Sequence, residues 1–140
     1  MVELIERLAK RSELTLGVLS GNYPETGRLK LAAAGLDPDR FTVCAWGSEA
    51  PSRPELIPVA LERYRAHTGR ALPASSVVVI GDTPHDVACA RAHGCRALAV
   101  ATGGYTTEEL APAGADLVLA SLAPAEPVER WILRLGALAP

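Results

Sequence analysis

Apolar positions along the chain follow two different periods, and each period predicts its own kind of element. Short runs of Val, Ile, Leu and Ala bounded by turn residues predict strands over residues 15–20, 41–46, 76–80, 96–101 and 116–119. Apolar residues three and four apart predict helices over residues 2–11, 25–34, 54–68, 84–93, 107–111 and 127–135. Alternating strands and helices of these lengths predict an α/β fold in one domain over residues 1–140: a doubly wound, Rossmann-like parallel sheet with helices on both faces.

The clearest candidate chemistry lies where the third strand meets the next helix, in the sequence VVVIGDTPHD. The β-branched run 77–80 predicts a strand covered on both faces, and Gly81 allows a sharp turn after it. Asp82 therefore stands at the carboxyl end of a parallel strand, where sheets of this kind bind ligands. Asp86 follows in the first helical turn. Two carboxylates four residues apart predict an oxygen-rich site suited to Mg²⁺.

A second candidate site follows the first strand, in the sequence VLSGN. Ser20 ends that strand, and Gly21 and Asn22 form the turn after it. A hydroxyl and backbone N–H groups at such a turn can bind phosphoryl oxygens, although Ser-Gly-Asn is also ordinary turn chemistry. Lys30, two turns into the next helix, is predicted to be a surface or packing residue rather than a ligand.

These two segments resemble motifs of the haloacid dehalogenase (HAD) superfamily, most of whose members are Mg²⁺-dependent phosphatases. GDTPHD with its sequel ACARAHGCRALAVATGGY resembles the last motif, and LSGN before a helix with Lys-Leu resembles the second. The resemblance implies that Asp82 binds Mg²⁺ and that Asp86 holds the metal or its waters. It also implies that Ser20, with Gly21 and Asn22, binds the phosphoryl group of a small phosphate ester. The acidic pair favours the phosphatase branch over true dehalogenases.

The family also carries a basic residue, usually a lysine, between these two motifs. No lysine follows Lys30, and Arg53 in SRPEL stands at the corresponding place. The resemblance therefore gives Arg53 a role in binding the phosphoryl group. Arginine keeps the positive charge of lysine but differs from it in geometry. The alternative therefore stays open that Arg53 is a simple surface charge at the start of the helix. Glu49 and Glu55 are close enough in sequence to pair with Arg53.

One part of the family pattern has no counterpart in this sequence. HAD phosphatases use an aspartate nucleophile in a D-x-D-x-T motif, on a strand ahead of the second motif. None of the five aspartates stands in such a motif, and Asp37-Pro-Asp39 follows a helix end instead of an apolar strand. We therefore expect the C-terminal core portion of a HAD-like hydrolase without a cap domain. As an isolated chain it is expected to be inactive or nearly so.

The absent strand lies, in the family's sheet, between the strands ending at Ser20 and at Gly81. Without it, each of these strands has an edge of unpaired backbone groups. Three ways of closing the gap stay open: direct pairing of the two strands, a dimer, or a missing N-terminal segment.

Composition limits the partners and the compartment. The net charge of −2 disfavours binding to nucleic acid or to an acidic membrane surface. No apolar run approaches the ~18 residues of a membrane span. Three cysteines without C-x-x-C spacing suit a reducing compartment, and the N-terminal residues lack a signal peptide, so a cytoplasmic location is expected.

Two rival interpretations of the same residues stay open. The first is a non-catalytic module derived from the HAD fold, which binds a metal and phosphate or a protein partner. The second is an unrelated doubly wound domain, such as a response-regulator receiver, a fold that also uses aspartates at strand ends with Mg²⁺. A receiver needs an acidic pair after its first strand, and Ser20 with Gly21 offers none.

Overall fold

The computed structural model describes residues 1–137 of the chain. The chain folds into two compact units, Met1–Leu72 and a second unit that begins at Pro73. Parallel strands with helices on both sides make up the structure, which confirms the predicted α/β fold class.

The first unit contains a two-stranded parallel sheet. Strand β1 pairs with β2 in parallel, so that Ser20 lies opposite Trp46 at their carboxyl ends. Helix α3 packs against both strands. Gly35 has a φ of +78° just after α2, in the left-handed region that favours glycine after a helix C-terminus. The elements are α1 (Val2–Leu8), β1 (Gly17–Ser20), α2 (Pro24–Ala33), β2 (Val43–Trp46) and α3 (Leu56–Thr68).

The second unit contains a three-stranded parallel sheet in the order β3-β4-β5. Gly81 at the end of β3 lies opposite Ala99 in β4. Helix α4 packs against β3 and β4, and helix α5 packs against β4 and β5. The elements are β3 (Val78–Gly81), α4 (Pro84–Ala92), β4 (Arg96–Val100), α5 (Thr107–Leu110), β5 (Leu117–Leu119) and α6 (Ala125–Ala137).

The expectation that the 77–80 run is covered on both faces is wrong. Every residue of β3 is partly exposed, whereas residues 97–100 of β4 are buried. The reason lies in the strand order. Strand β4 has a neighbour on each side, but β4 is the only strand that pairs with β3 among residues 1–137.

Element boundaries differ from the predicted ones by a few residues. Strands β1 and β2 each begin two residues later than predicted, because the Leu16 carbonyl accepts hydrogen bonds from the N–H groups of both Thr42 and Val43. Helix α6 begins two residues earlier, since Pro127 lies in its first turn, where a missing N–H costs no helical hydrogen bond.

Three further sequence expectations concern strand pairing, the thiols and membrane spans. β1 pairs with β2 in the first unit, and β3 pairs with β4 in the second. Cys89 and Cys95 are buried and Cys44 is half-buried, all as free thiols. In the described part of the chain, no helix is long and apolar enough to cross a membrane.

Candidate functional site

The turn after β1 is held by hydrogen bonds among polar side chains. The Ser20 hydroxyl oxygen accepts one hydrogen bond from the Asn22 backbone N–H at 3.1 Å and another from the Asn22 side-chain Nδ2 at 2.9 Å. The Asn22 Oδ1 accepts a hydrogen bond from Lys30 Nζ at 3.0 Å. Lys30 is exposed, as predicted. Its hydrogen bond to Asn22 nevertheless connects it to the candidate phosphate site.

The turns after β1 and β2 lie in direct backbone contact. The Gly47 N–H donates to the Asn22 carbonyl at 3.0 Å. A Cβ atom on Gly47 would lie 2.9 Å from the Gly21 Cα and still closer to the Gly21 carbonyl. Only glycine fits at position 47, because the backbone of the neighbouring turn occupies the space of a side chain.

A cleft of 190 Å³ opens beside these two turns. Gly21 and Gly47 line one part of it, and Ser52, Arg53 and the buried Leu56 line another. Pockets for drug-sized ligands measure roughly 300–1,000 Å³, so this cleft suits a group of about the size of phosphate. The structure therefore brings together Gly21 and Arg53, two of the residues predicted to bind a phosphoryl group.

A carboxylate and an arginine fix the loop that leads from β2 to this cleft. Glu49 Oε2 accepts hydrogen bonds from the Trp46 backbone N–H and from Arg63, each at 2.8 Å. Arg63 also donates to the Cys44 carbonyl. The hydrogen bond from Arg63 lowers the pKa of Glu49 below its usual value, against the opposing effect of burial. Glu49 thus pairs with Arg63.

Asp82 lies in the second unit, directly after β3. Its side chain is half-buried, and it has no hydrogen-bond or ion-pair partner among residues 1–137. The loop after β4 contacts it closely: a Cβ atom on Gly103 would lie 3.0 Å from the Asp82 Cγ and nearer still to Oδ2. The carboxylate oxygens of Asp82 are therefore partly open to solvent and accessible to a cation.

Asp86 is buried and holds the start of α4. Its Oδ2 accepts hydrogen bonds from the Thr83 N–H at 3.1 Å and from the Thr83 hydroxyl at 2.9 Å. In return, the Thr83 Oγ1 accepts from the Asp86 N–H at 3.2 Å, which completes a capping box. A Cβ atom on Gly81 would collide with the Asp86 carboxyl group, so glycine at 81 makes room for it. Asp86 therefore shapes the turn that carries Asp82, and its predicted role toward a metal stays a prediction.

The carboxylates of this turn fit Mg²⁺ better than a metal that needs a full protein cage. Within residues 1–137, no three His, Cys, Asp or Glu side chains gather around one point. Mg²⁺ characteristically takes one or two protein carboxylates and completes its octahedron with water and substrate phosphate. Asp82 is the carboxylate that suits this role, because no protein donor in the described part of the chain occupies its oxygens.

The other aspartates take structural roles. Asp37 Oδ1 accepts from the Asp39 N–H at 3.0 Å in a short turn, and Asp39 pairs with Arg28 at 2.6 Å. Asp116 precedes β5, where its carboxylate accepts from the Ala97 N–H at 2.8 Å. These three carboxylates therefore hold local structure.

The predicted site residues thus fall into two groups. Those of the first group lie in the first unit, at or beside the cleft at the carboxyl ends of β1 and β2: Ser20, Gly21, Asn22 and Arg53. Asp82 and Asp86 share one turn in the second unit. Sequence reasoning missed Gly47 and Gly103, whose importance depends on contacts with distant turns. The Thr83-x-x-Asp86 spacing, in contrast, is a readable capping-box signature.

Residues 51–125 match the family model described as HAD-hydrolase-like. This range is more than half of the chain and contains Arg53, Asp82 and Asp86. The chain therefore belongs to the HAD-like hydrolases, and the receiver interpretation is excluded.

Individual relatives agree with this assignment. A phosphoglycolate phosphatase from Chromobacterium violaceum is 34% identical over 85 residues, which make up 61% of this chain and 36% of that protein. A haloacid dehalogenase-like hydrolase from Streptococcus pneumoniae superposes with a TM-score of 0.75 at 23% identity, over 93% of this chain and 57% of that one. A hydrolase from Pseudomonas syringae superposes with a TM-score of 0.68 at 28% identity, over 84% and 51% of the two chains.

The chain spans only part of each of these proteins: 36% of the length of the curated relative and 51–57% of the two solved structures. At 23% identity, the likeness to the S. pneumoniae hydrolase concerns the fold alone.

Proposed function

We propose that this chain is part of a Mg²⁺-dependent phosphatase that acts on a small phosphate ester. The observation that carries the proposal is the cleft in the first unit, which both Gly21 and Arg53 line; Gly21 follows Ser20 directly in the chain. A cationic forked donor, a hydroxyl and the backbone of a glycine turn are the groups that bind a phosphoryl oxygen in proteins. The relative from C. violaceum supports a phosphorylated small organic acid as the first substrate class to test.

The roles in this proposal follow from the chemistry of each side chain. The Ser20 hydroxyl and the Gly21–Asn22 turn bind and orient the phosphoryl group. Arg53 offsets its negative charge with two parallel N–H donors. Asp82 holds Mg²⁺. Asp86, four residues further along the chain, positions the turn that carries Asp82 and binds a water of the metal. When bound, Mg²⁺ supplies positive charge that stabilises the charge of the phosphoryl oxygens.

The residues of this chain do not include a nucleophile of the D-x-D-x-T kind. We therefore expect the 140-residue chain to bind phosphate and Mg²⁺ but to show little or no turnover by itself. This sequence feature also favours a second candidate, a non-catalytic module that binds metal and phosphate or a protein partner. Protection by Mg²⁺ and phosphate against thermal unfolding agrees with either ligand-binding role. An unchanged unfolding temperature would contradict both ligand-binding roles.

The cleft is tested by titrating inorganic phosphate into the chain and into Arg53 variants, followed by NMR of the backbone amides. Phosphate should shift the amides of Gly21 and Gly47, which line the cleft. Arg53→Gln should weaken binding about tenfold or more, because it removes a charge-assisted hydrogen bond worth ~1.5–3 kcal/mol. Arg53→Lys should keep part of the affinity, and Arg70→Gln, an exposed change of equal charge outside the cleft, should keep all of it. Equal affinity in the wild type and Arg53→Gln would contradict the proposed phosphate site.

A further inference from the structure

Three polar side chains form a continuous line of hydrogen bonds that ends at Ser20. Lys30 Nζ donates to Asn22 Oδ1 at 3.0 Å, and Asn22 Nδ2 donates to the Ser20 hydroxyl oxygen at 2.9 Å. Lys30 lies on α2, eight residues after Asn22. No motif assigns a function to this lysine.

The chemistry of lysine fixes the direction of the line. A lysine ammonium group has three donors and no acceptor, so the Asn22 atom that faces Lys30 must be the amide oxygen. The amide nitrogen of Asn22 must then face Ser20. Without a donor at position 30, the Asn22 amide is able to rotate and present its oxygen to Ser20.

This orientation decides what the Ser20 hydroxyl can do. Its oxygen accepts two hydrogen bonds, from the Asn22 backbone N–H and from Nδ2, which use both lone pairs. The hydroxyl proton is left to donate, and it makes no hydrogen bond to another described residue of the first unit. A hydroxyl restricted to donating selects a ligand atom that only accepts, such as the oxygen of a phosphate dianion.

We propose that Lys30 is a positioning residue that makes Ser20 an obligate hydrogen-bond donor toward phosphate. Lys30 acts through the Asn22 amide, not by touching the ligand. In its absence, Asn22 presents Oδ1 to Ser20, takes up the hydroxyl proton in an internal hydrogen bond and withdraws it from the ligand. The inference rests on the proposed function, because it assumes that the Ser20 turn binds phosphate.

The test measures inorganic phosphate affinity by NMR for the whole chain and its variants at fixed ionic strength. Lys30→Met should weaken phosphate binding about three- to tenfold, the worth of one hydrogen bond. Lys30→Arg restores a donor and should recover most of the affinity. Lys10→Met removes an equal charge from an exposed position outside this line and should leave the affinity essentially unchanged.

A double-mutant cycle separates positioning from a general effect of charge. If Lys30 acts through Asn22, Lys30→Met should have no further effect in an Asn22→Ala background. Additive effects of the two changes would overturn the proposal, as would an unchanged affinity in Lys30→Met. The Asn22 side-chain amide resonances offer a readout without phosphate: Lys30→Met should shift them, and Lys10→Met should not.

These outcomes are distinguishable from failure of the proposed function. A wild-type chain that binds phosphate while Lys30→Met binds it equally well contradicts only the role of Lys30. A wild-type chain that does not bind phosphate contradicts both proposals, even where the Asn22 amide responds to Lys30→Met.

Discussion

Asp86 offers a prediction that separates its structural role from any role in metal binding. In the structure, its buried carboxylate accepts two hydrogen bonds from Thr83 and closes the capping box of α4. Hydrogen bonds to a charged group contribute ~1.5–3 kcal/mol each, and replacing a capping side chain by alanine costs ~0.5–2 kcal/mol. Since the two estimates describe overlapping contacts, we expect Asp86→Ala to lower the free energy of unfolding by about 2–4 kcal/mol.

The assay is urea unfolding at about pH 7 in the presence of a chelator, so that metal binding does not contribute. A matched control exists at α5, where Thr106 and Glu109 form the same capping box on the surface. Glu109→Ala should cost less than half as much as Asp86→Ala, because its hydrogen bonds are exposed to water. Asp86→Asn keeps an acceptor oxygen and should lose only about 1 kcal/mol. An Asp86→Ala variant no less stable than Glu109→Ala would refute the reasoning.

Three further predictions concern packing, pH and turnover. Gly27→Ala should lower the free energy of unfolding in urea by roughly 1–2 kcal/mol. A Cβ atom at position 27 would lie 2.8 Å from Trp46 Cε3. The cost of this overpacking exceeds the ~1 kcal/mol that alanine gains over glycine in helix propensity. Burial raises the pKa of Asp116, but hydrogen bonds from Ala97 and Arg96 outweigh this effect, so its pKa is lowered overall. Asp116→Asn should therefore be less stable than wild type above about pH 4, and the difference should vanish as the pH falls through the lowered pKa. The purified 140-residue chain should hydrolyse p-nitrophenyl phosphate hardly above the blank with Mg²⁺ present.

Each of these has a result that would contradict it. A Gly27→Ala variant as stable as the exposed control Thr26→Ala would mean that Trp46 moves aside without cost. A stability difference for Asp116→Asn that persists unchanged at about pH 2 would exclude the ion pair as its source. Robust Mg²⁺-dependent hydrolysis that is lost in Asp82→Ala would show that another residue of this chain supplies the nucleophile.

Local patterns predicted the fold class well, because each element is short and its signals are carried by neighbouring residues. The alternation of apolar runs with helical stripes predicted the order of the strands and α-helices, which the structure confirms. Strand burial was harder to predict. The composition of β3 suits a fully covered strand, but its exposure depends on how many strands pair with it, which no local pattern contains.

The candidate site likewise contains residues that local patterns predict and contacts that only tertiary packing creates. Ser20 and Asp82 could be proposed as candidates because Ser20 ends one apolar run and Asp82 comes one glycine after another, so that both stand at carboxyl strand ends. The contact of Gly47 with Gly21 joins turns 26 residues apart in sequence, and the hydrogen bond from Lys30 to Asn22 depends on how α2 leaves its turn. Contacts of this kind follow from tertiary packing, so they became visible only in the structure.

The assignment of Asp82 as a Mg²⁺ ligand is most directly tested by calorimetric titration of Mg²⁺, with inorganic phosphate present, into the wild-type chain and two variants of equal charge. We predict one Mg²⁺ site in the wild type, an affinity about tenfold or more weaker in Asp82→Asn, and no change in Glu13→Gln, which alters an exposed residue outside both candidate sites. A wild-type chain that takes up no Mg²⁺, or an Asp82→Asn variant that binds it as tightly as the wild type, would contradict this assignment.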